Sequence, residues 1–402
     1  MLLKSTIGKI VDAQRLNLGQ KNTGLERELL VRIPDLSSHA LIVSGVRRCG
    51  KSTLLFQLLD TKYKDALYLN FEDPRLYEFE RNDFSRLDII ISELNYKVLF
   101  FDEIQIITDW ERYIRQKLDE GFYIAITGSN ASLLSRELGT KLTGRHITKE
   151  LFPFSYQEFC AYKKLELSED SLLAYLKKGG FPDYIKRDED DILNNLLDDI
   201  LVRDIAVRYG VRDVKTLQRL SLYLISNVGN LITGNKLKAL FGIGATSTVM
   251  EYLSHLEYSY LFHFIPKFSY SLRKQMVNPR KVYAIDTGMV NVNSASFTED
   301  NGRKFENLIY LHLRRRYKDI YYFSEKGECD FVVYEKESIC EVVQVCFSLN
   351  QDNMDRELNG LFDALEFFKL EKGTVVTLNQ TDCFERNNMK ANIVSGYEYL
   401  KS

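Results

Sequence analysis

Residues 45–52 read GVRRCGKS, a complete G-x-x-x-x-G-K-[ST] loop. The apolar run Leu41–Val43 precedes it, and the helix-like TLLFQLL follows. Strand, glycine loop and helix in that order make a phosphate cradle, in which backbone N–H groups and the helix N-terminus hold phosphate oxygens. A nicotinamide-type turn is disfavoured: no G-x-G-x-x-G follows the first strand, and Lys-Ser follows the last glycine directly. Gly45, Val46, Arg47, Arg48, Cys49, Gly50, Lys51, Ser52 and Thr53 are the expected nucleotide-binding residues. Lys51 supplies a point charge for the outer phosphates and Ser52 a hydroxyl for Mg²⁺. Arg47 and Arg48 either reach phosphate or face solvent. Cys49 is a small side chain suited to a tight loop and is given no redox role.

Residues 98–103 read VLFFDE, four apolar residues ending in two carboxylates. A buried strand that emerges beside the phosphates has this form. Asp102 suits Mg²⁺, held through water, and Glu103 suits a general base that polarises the attacking water. The string is common, and its place downstream of a complete phosphate loop gives it weight. The strand candidate at 123–127 ends in TGSN. Asn130, or Ser129 beside it, is placed to orient water or the γ-phosphate, since an amide both donates and accepts; GSN also describes a turn. Arg136 and Arg145 are the candidate arginine fingers. Arg145, in LTGR, follows a glycine that exposes it and is preferred, acting either in the same chain or across an interface.

A chain of 402 residues exceeds one ordinary core, so two or three domains are expected. The formal net charge of -2 demands no polyanion partner. None of the cysteines forms a C-x₂-C pair, which argues against a zinc ribbon. The opening MLLKSTIGKIV lacks the long apolar core and cleavage site of a signal peptide. No stretch approaches the roughly 18 apolar residues of a membrane span. A reducing cytoplasmic location without membrane contact is the expectation.

The first 40 residues read as a helical lead-in, with Leu25 to Ile33 an amphipathic stretch stopped by Pro34. Short apolar strands are expected at Leu41–Ser44, Ala66–Asn70, Lys97–Phe101 and Tyr123–Thr127, with crossover helices between them. Residues 1–150 thus form a three-layer α/β P-loop core. Residues 151–212 read as a helical lid, broken by GGFP at 179–182 and carrying the acidic DEDDILNNLLDDI. Residues 213–285 give three helices and then a hairpin, the order of a winged helix. Its third helix, Thr246 to Tyr258, holds Glu251, His255 and Glu257 but no Lys or Arg, so packing or protein contact is preferred over DNA reading. Residues 286–402 read as a second α/β domain: a helix RKFENLIYLHLRRRY, strands at 320–323, 330–334 and 339–347, a helix MDRELNGLFDALEFF and a terminal strand TVVTL.

The motifs GVRRCGKSTLL, LFFDEIQ, ITGSNASLLS, LTGRHITKELFPFSYQEF, GGFPDYI, YAIDTG and GRKFENLIYLHLRRR together resemble the bacterial and archaeal AAA-like P-loop ATPases that carry a C-terminal domain of unknown function. The resemblance covers nearly the whole chain. It implies an AAA+/ASCE motor core that uses ATP and Mg²⁺, with Gln105 and the Arg145 region in its signature. It also implies a winged helix followed by a restriction-endonuclease-like fold. In such a nuclease a helix Glu and a strand Asp are joined by an acidic-x-Lys on the next strand, and the carboxylates hold Mg²⁺. Glu306 and Asp330 match the first two, but Gln344-Val345-Cys346 falls on the third. Glu341 lies three residues before Gln344 and should face the other way. Nuclease activity is therefore not expected, and a nuclease-derived scaffold or weak nucleic-acid platform is. Arg314, Arg315 and Arg316 would carry salt-sensitive, non-specific affinity, or else serve as ordinary charges at a helix C-terminus. The leading expectation is Mg²⁺-dependent ATP hydrolysis coupled to conformational change on a nucleic-acid or protein partner, within a homo-oligomer. The alternatives are a nucleotide-regulated scaffold with slow turnover and a nucleic-acid-processing ATPase with a live nuclease.

Overall fold

A computed structural model describes residues 1–20, 23–130, 144–295 and 300–401. The chain forms two compact units, Met1–Phe152 and Pro153–Ser402. Among the described residues no helix is long and apolar enough to cross a membrane.

The first unit is built on five parallel strands: β1 (Ala40–Ser44), β2 (Leu67–Asn70), β3 (Val98–Asp102), β4 (Tyr123–Gly128) and β5 (His146–Glu150), in the order β2-β3-β4-β1-β5. ALIVS and VLFFD are continuous apolar runs because helices cover both faces of a parallel sheet. β5, HITKE, is a half-exposed edge strand with no such run, and the sequence pattern did not reveal it. The N-terminal helix Lys4–Gln20 is part of the core. Ile7, Ile10 and Val11 recur at helical spacing and are buried with Leu87, Ile90 and Ile91 of the helix Phe84–Glu93. Gln14 then locks onto β2, donating to the Asn70 carbonyl at 3.2 Å and accepting from its N–H at 2.8 Å. The amphipathic stretch at 25–33 contains only a one-turn helix, Glu28–Val31. Arg27 is extended (φ -81°, ψ 135°), because its backbone and side chain are committed to the glycine loop region described below.

The second unit holds two sheets. A small antiparallel one pairs β6 (Leu231–Ile232), β8 (Arg280–Ala284) and β7 (Phe262–Pro266) in that order. Helices Val214–Ile225, Gly234–Phe241 and Thr246–Tyr258 precede its hairpin. The basic segment between β7 and β8 contains a short helix, Leu272–Val277. The larger sheet is mixed: β9 (Asp319–Ser324), β10 (Glu328–Glu335), β11 (Ser338–Val345), β12 (Lys372–Thr377), β13 (Asp382–Arg386) and β14 (Met389–Ser395), in the order β13-β14-β12-β11-β10-β9. The strand containing TVVT is thus not terminal. β13 is exposed and carries no apolar run, and β14 alternates, so neither stands out in sequence. The helix Met354–Phe368 covers this sheet, with Leu358, Leu361 and Leu365 against Val332, Val342, Val375 and Ile393.

Three sequence motifs of the second unit meet at one point. Phe154 N–H donates to the Gly180 carbonyl at 2.7 Å, and Tyr175 hydroxyl to the Phe154 carbonyl at 2.6 Å. Gly180 N–H in turn donates to Asp286 Oδ2 at 2.5 Å, and Met289 N–H to Asp286 Oδ1 at 2.9 Å. Burial pushes the Asp286 carboxyl up to about 6, although the N–H donors of Gly180, Met289 and Gly288 pull it down. GGFP and AIDTG are therefore one packing junction. A Cβ on Gly180 would sit 2.3 Å from the Phe154 carbonyl oxygen, so only glycine fits. Gly180→Ala should lower the stability of this unit by about 1–3 kcal/mol, the usual cost of overpacking. Urea unfolding followed by far-UV circular dichroism measures it, and an unchanged midpoint would contradict the close approach.

Candidate functional site

Parallel pairing brings the C-terminal ends of the strands to one edge. Ser44 of β1 is level with Gly128 of β4, and Asn70 of β2 with Asp102 of β3. From Ser44 the chain enters the glycine loop and then the helix Lys51–Thr61. The loop is wedged against the segment after β5. A Cβ on Gly45 would lie 2.1 Å from the Leu151 carbonyl oxygen, and Cys49 Sγ donates to that oxygen at 3.3 Å. Burial pushes the Cys49 thiol up, which keeps it protonated and unreactive. Arg27, 2 % exposed, braces the loop from behind: Nη1 donates to the Cys49 carbonyl and Nη2 to the Phe152 carbonyl, both at 2.8 Å. Gln57 fixes this brace by donating to the carbonyls of Thr23 and Leu25 at 3.0 and 2.6 Å.

Lys51 Nζ donates to the carbonyls of Gly45 and Val46, each at 3.1 Å, and lies 3.5 Å from Glu103 Oε1. Burial pushes its ammonium down, but Glu103, Cys49 and Asp102 together outweigh it and the net shift is upward. Glu103 is the mirror case: burial pushes it up, while Lys51, Gln105 and Arg47 together bring it below its ordinary value. Both groups are charged at neutral pH. Glu103 sits at φ 52°, where the chain turns sharply out of β3. Its N–H donates to Thr127 Oγ1 at 3.0 Å. Asp102, fully buried, accepts from Tyr68 hydroxyl at 2.7 Å and from Thr127 hydroxyl. Burial and the neighbouring Glu103 push Asp102 up, opposed by hydrogen bonds from Ser52, Thr127 and Tyr68. A hydroxyl and a carboxylate within bonding distance at the start of the helix form an oxygen donor pair that fits Mg²⁺.

Arg47 does not simply face solvent; its Nη2 meets Glu72 Oε1 at 3.2 Å. Arg48 is exposed, and Thr53 lies in the first turn of the helix. Asn130 and Ser129 are buried two residues and one residue beyond β4, on the same edge as the loop. Arg136 lies outside the described residues. Arg145 lies at the opposite edge. It precedes β5, its carbonyl accepts from Ala40 N–H at 3.1 Å, and Nη1 bonds Asp119 Oδ1 at 2.6 Å. The length of β1, roughly 16 Å at about 3.3 Å per residue, separates it from its own loop. In this structure Arg145 therefore does not lie beside the loop of its own chain. Tyr68 and Arg27 belong to no short motif, and Thr127, although it opens TGSN, was given no role; sequence reasoning missed all three.

In the second unit Glu306 and Asp330 do come together, around a lysine the sequence reading overlooked. Lys281 Nζ lies 2.8 Å from Asp330 Oδ1, 3.1 Å from Glu306 Oε1 and 3.0 Å from Glu328 Oε1. Tyr283 hydroxyl donates to Glu306 at 2.6 Å, and Val345 N–H to Asp330 at 2.9 Å. Lys281 and Tyr283 alternate on β8 and so share a face, a signal available in KVYAID. Burial and Asp330 raise the Glu306 carboxyl. Gln344 accepts from Asp330 N–H at 3.2 Å and donates to Glu357 at 2.5 Å. Glu341 instead accepts from Tyr317 hydroxyl at 2.6 Å and Tyr399 hydroxyl at 3.3 Å, away from the cluster. Among the described residues no group of three His, Cys, Asp or Glu is arranged for a metal ion. The arginine run is also committed internally. Arg315 donates to the Pro153 carbonyl at 2.7 Å, Arg316 lies 3.5 Å from Glu341, and the Arg314 charge acts on Glu257 and His263. His255 stacks on Tyr209 at 3.9 Å between ring centroids.

Comparison with known proteins agrees with this construction. The model of an AAA domain matches residues 37–160, and that of a domain of unknown function (DUF8612) matches residues 169–300. AAA domains are nucleotide-binding and hydrolysing modules, and this chain carries one. An uncharacterized protein of Methanocaldococcus jannaschii is 32% identical over 95% of this chain and 91% of its own length. An uncharacterized protein of Haemophilus influenzae is 30% identical over 79% and 84% respectively. The chain belongs to the family that these two uncharacterized proteins represent. Among solved structures, a Saccharomyces cerevisiae Hsp104:casein complex aligns at 16% identity and a TM-score of 0.33, over 61% of this chain and 51% of that one. Caenorhabditis elegans PCH-2 aligns at 17% and 0.23, over 43% and 46%. Similarity that slight says nothing of function.

Three carboxylates of the second unit converge on Lys281. Lys281→Met should destabilise that unit by about 3–5 kcal/mol, because it leaves buried carboxylates uncompensated. Adding Asp330→Asn should restore part of the loss. Urea unfolding of the single and double variants gives both numbers.

Proposed function

We propose that this chain is a Mg²⁺-dependent ATPase that couples hydrolysis to conformational change on a protein or nucleic-acid partner. The convergence of Lys51, Asp102 and Glu103 carries the reading: an ammonium, a buried carboxylate bonded to Ser52 and an ionised carboxylate, all at the mouth of the glycine loop. On this reading the loop N–H groups hold phosphate oxygens, and Lys51 exchanges the carbonyls of Gly45 and Val46 for the outer phosphates. Glu103 takes the proton from the attacking water as the terminal phosphate leaves ADP. Ser52 and Asp102 would hold Mg²⁺, which neutralises phosphate charge when bound. Tyr68 and Thr127 keep the Asp102 carboxylate oriented, and Asn130 is the polar group that senses the phosphate end.

Residues 151–212 act as a lid, 213–285 as a winged-helix-like module and 286–402 as a degenerate endonuclease-like domain. Three helices before a small antiparallel hairpin support the second assignment, and a mixed sheet carrying Glu306 and Asp330 supports the third. The second unit serves as a scaffold rather than a nuclease, because Lys281 already pairs with the acids that a metal would need. Engagement of Arg314, Arg315 and Arg316 within the fold weakens the case for a nucleic-acid partner held by this run. Free thiols throughout the described chain agree with a reducing cytoplasm.

Lys51→Ala should abolish tight ATP·Mg²⁺ binding, whereas Glu103→Gln should bind ATP normally and lose about 10²-fold or more in kcat. Equilibrium binding of a fluorescent ATP analogue and phosphate release separate the two. Turnover by Glu103→Gln equal to that of the unaltered chain would sink the base assignment.

Arg145 acts as a finger into a neighbouring copy. Lys51→Ala and Arg145→Ala should each be inactive alone yet regain partial ATPase activity when mixed. No recovery in a mixture shown by cross-linking to contain hetero-oligomers would rule the finger out.

A further inference from the structure

We propose that Gln105 is the water-positioning residue of the ATPase centre, with Nε2 holding Glu103 and Oε1 accepting from the attacking water. The inference rests on the ATPase reading above and extends it to a residue with no assigned role.

The local geometry isolates this side chain. β3 ends at Asp102, Glu103 adopts a left-handed conformation, and a single 3₁₀ turn, Ile104–Ile106, follows. Ile104 and Ile107 are buried in the core and fix both ends of that turn. Gln105 is carried between them beside the carboxylate. Its Nε2 donates to Glu103 Oε2, while Lys51 holds the other oxygen, Oε1. The assignment of the amide is unambiguous, since the reverse orientation would set two oxygens against each other. The remaining atom, Oε1, is buried and has no hydrogen-bond partner among the described residues. A buried acceptor left unpaired is a standing cost, retained where a ligand completes it. A water molecule shared between Gln105 Oε1 and Glu103 would give one hydrogen to each acceptor. Its lone pair would then be directed away from both, the arrangement an in-line nucleophile needs. The proton held by Glu103 is the one transferred; Gln105 takes none.

Gln105→Met tests this directly. It keeps the size of the side chain and removes both polar atoms. A purely structural amide and a water-positioning amide predict opposite results. For water positioning, kcat should fall about tenfold or more, KM for ATP should stay within about twofold, and the melting temperature should hold or rise because the unpaired acceptor is gone. Gln105→Ala should give the same split between kcat and KM. Undiminished kcat in Gln105→Met, while Glu103→Gln is inactive, would overturn this inference and leave the ATPase reading standing. A fall in kcat accompanied by a raised KM and a lowered melting temperature would assign Gln105 to the fold instead. No turnover by the unaltered chain would overturn both.

Discussion

A parallel strand must return to its starting end before it can pair again, and the first unit follows from that constraint. Every connection out of the sheet that carries chemistry leaves from the same edge. The glycine loop after β1, the carboxylates after β3 and the polar pair after β4 are therefore neighbours, although they are far apart in sequence. The same rule puts Arg145 on the wrong edge for its own loop. A buried charge pair at the mouth becomes affordable because each partner satisfies the other. Against the burial of both, Glu103 with Cys49 and Asp102 keeps Lys51 protonated, and Lys51 with Gln105 and Arg47 keeps Glu103 ionised.

The second unit solves a similar problem with a different cation. Three acids contributed by a helix and by β10 converge on one ammonium from β8. The small and large sheets of this unit are thereby joined through charge as well as through apolar packing. This unit thus keeps its buried acids and supplies their positive partner from within. Breaking such a cluster costs more than forming it gains, which makes it a specific join rather than a strong one.

The parts of the molecule legible in sequence were those in which a short run fixes both geometry and chemistry. GVRRCGKS and VLFFDE each specify a strand end and a set of charged groups, and both lie on the loop edge of the sheet. Residues that act through distant partners left no such trace. Arg27 sits in a stretch whose amphipathic pattern suggested helix, but its guanidinium satisfies two carbonyls, and that overrides local propensity. Tyr68 and Thr127 look like ordinary strand residues until β2 and β4 flank Asp102. Lys281 hides in an apolar strand, because its partners lie 25 and 49 residues away. Edge strands β5 and β13 lacked the apolar runs that burial writes into central strands.

The brace behind the glycine loop also determines where the nucleotide module begins. The recognisable AAA domain starts at residue 37. Yet the loop leans on Arg27, Gln57 clasps the backbone of Thr23 and Leu25, and the sheet is sealed by Ile7, Ile10 and Val11. The smallest piece that can present a correctly shaped loop is therefore longer than the piece that sequence similarity identifies. Evolutionary and mechanical boundaries differ here by the helix Lys4–Gln20, the short helix Glu28–Val31 and one arginine.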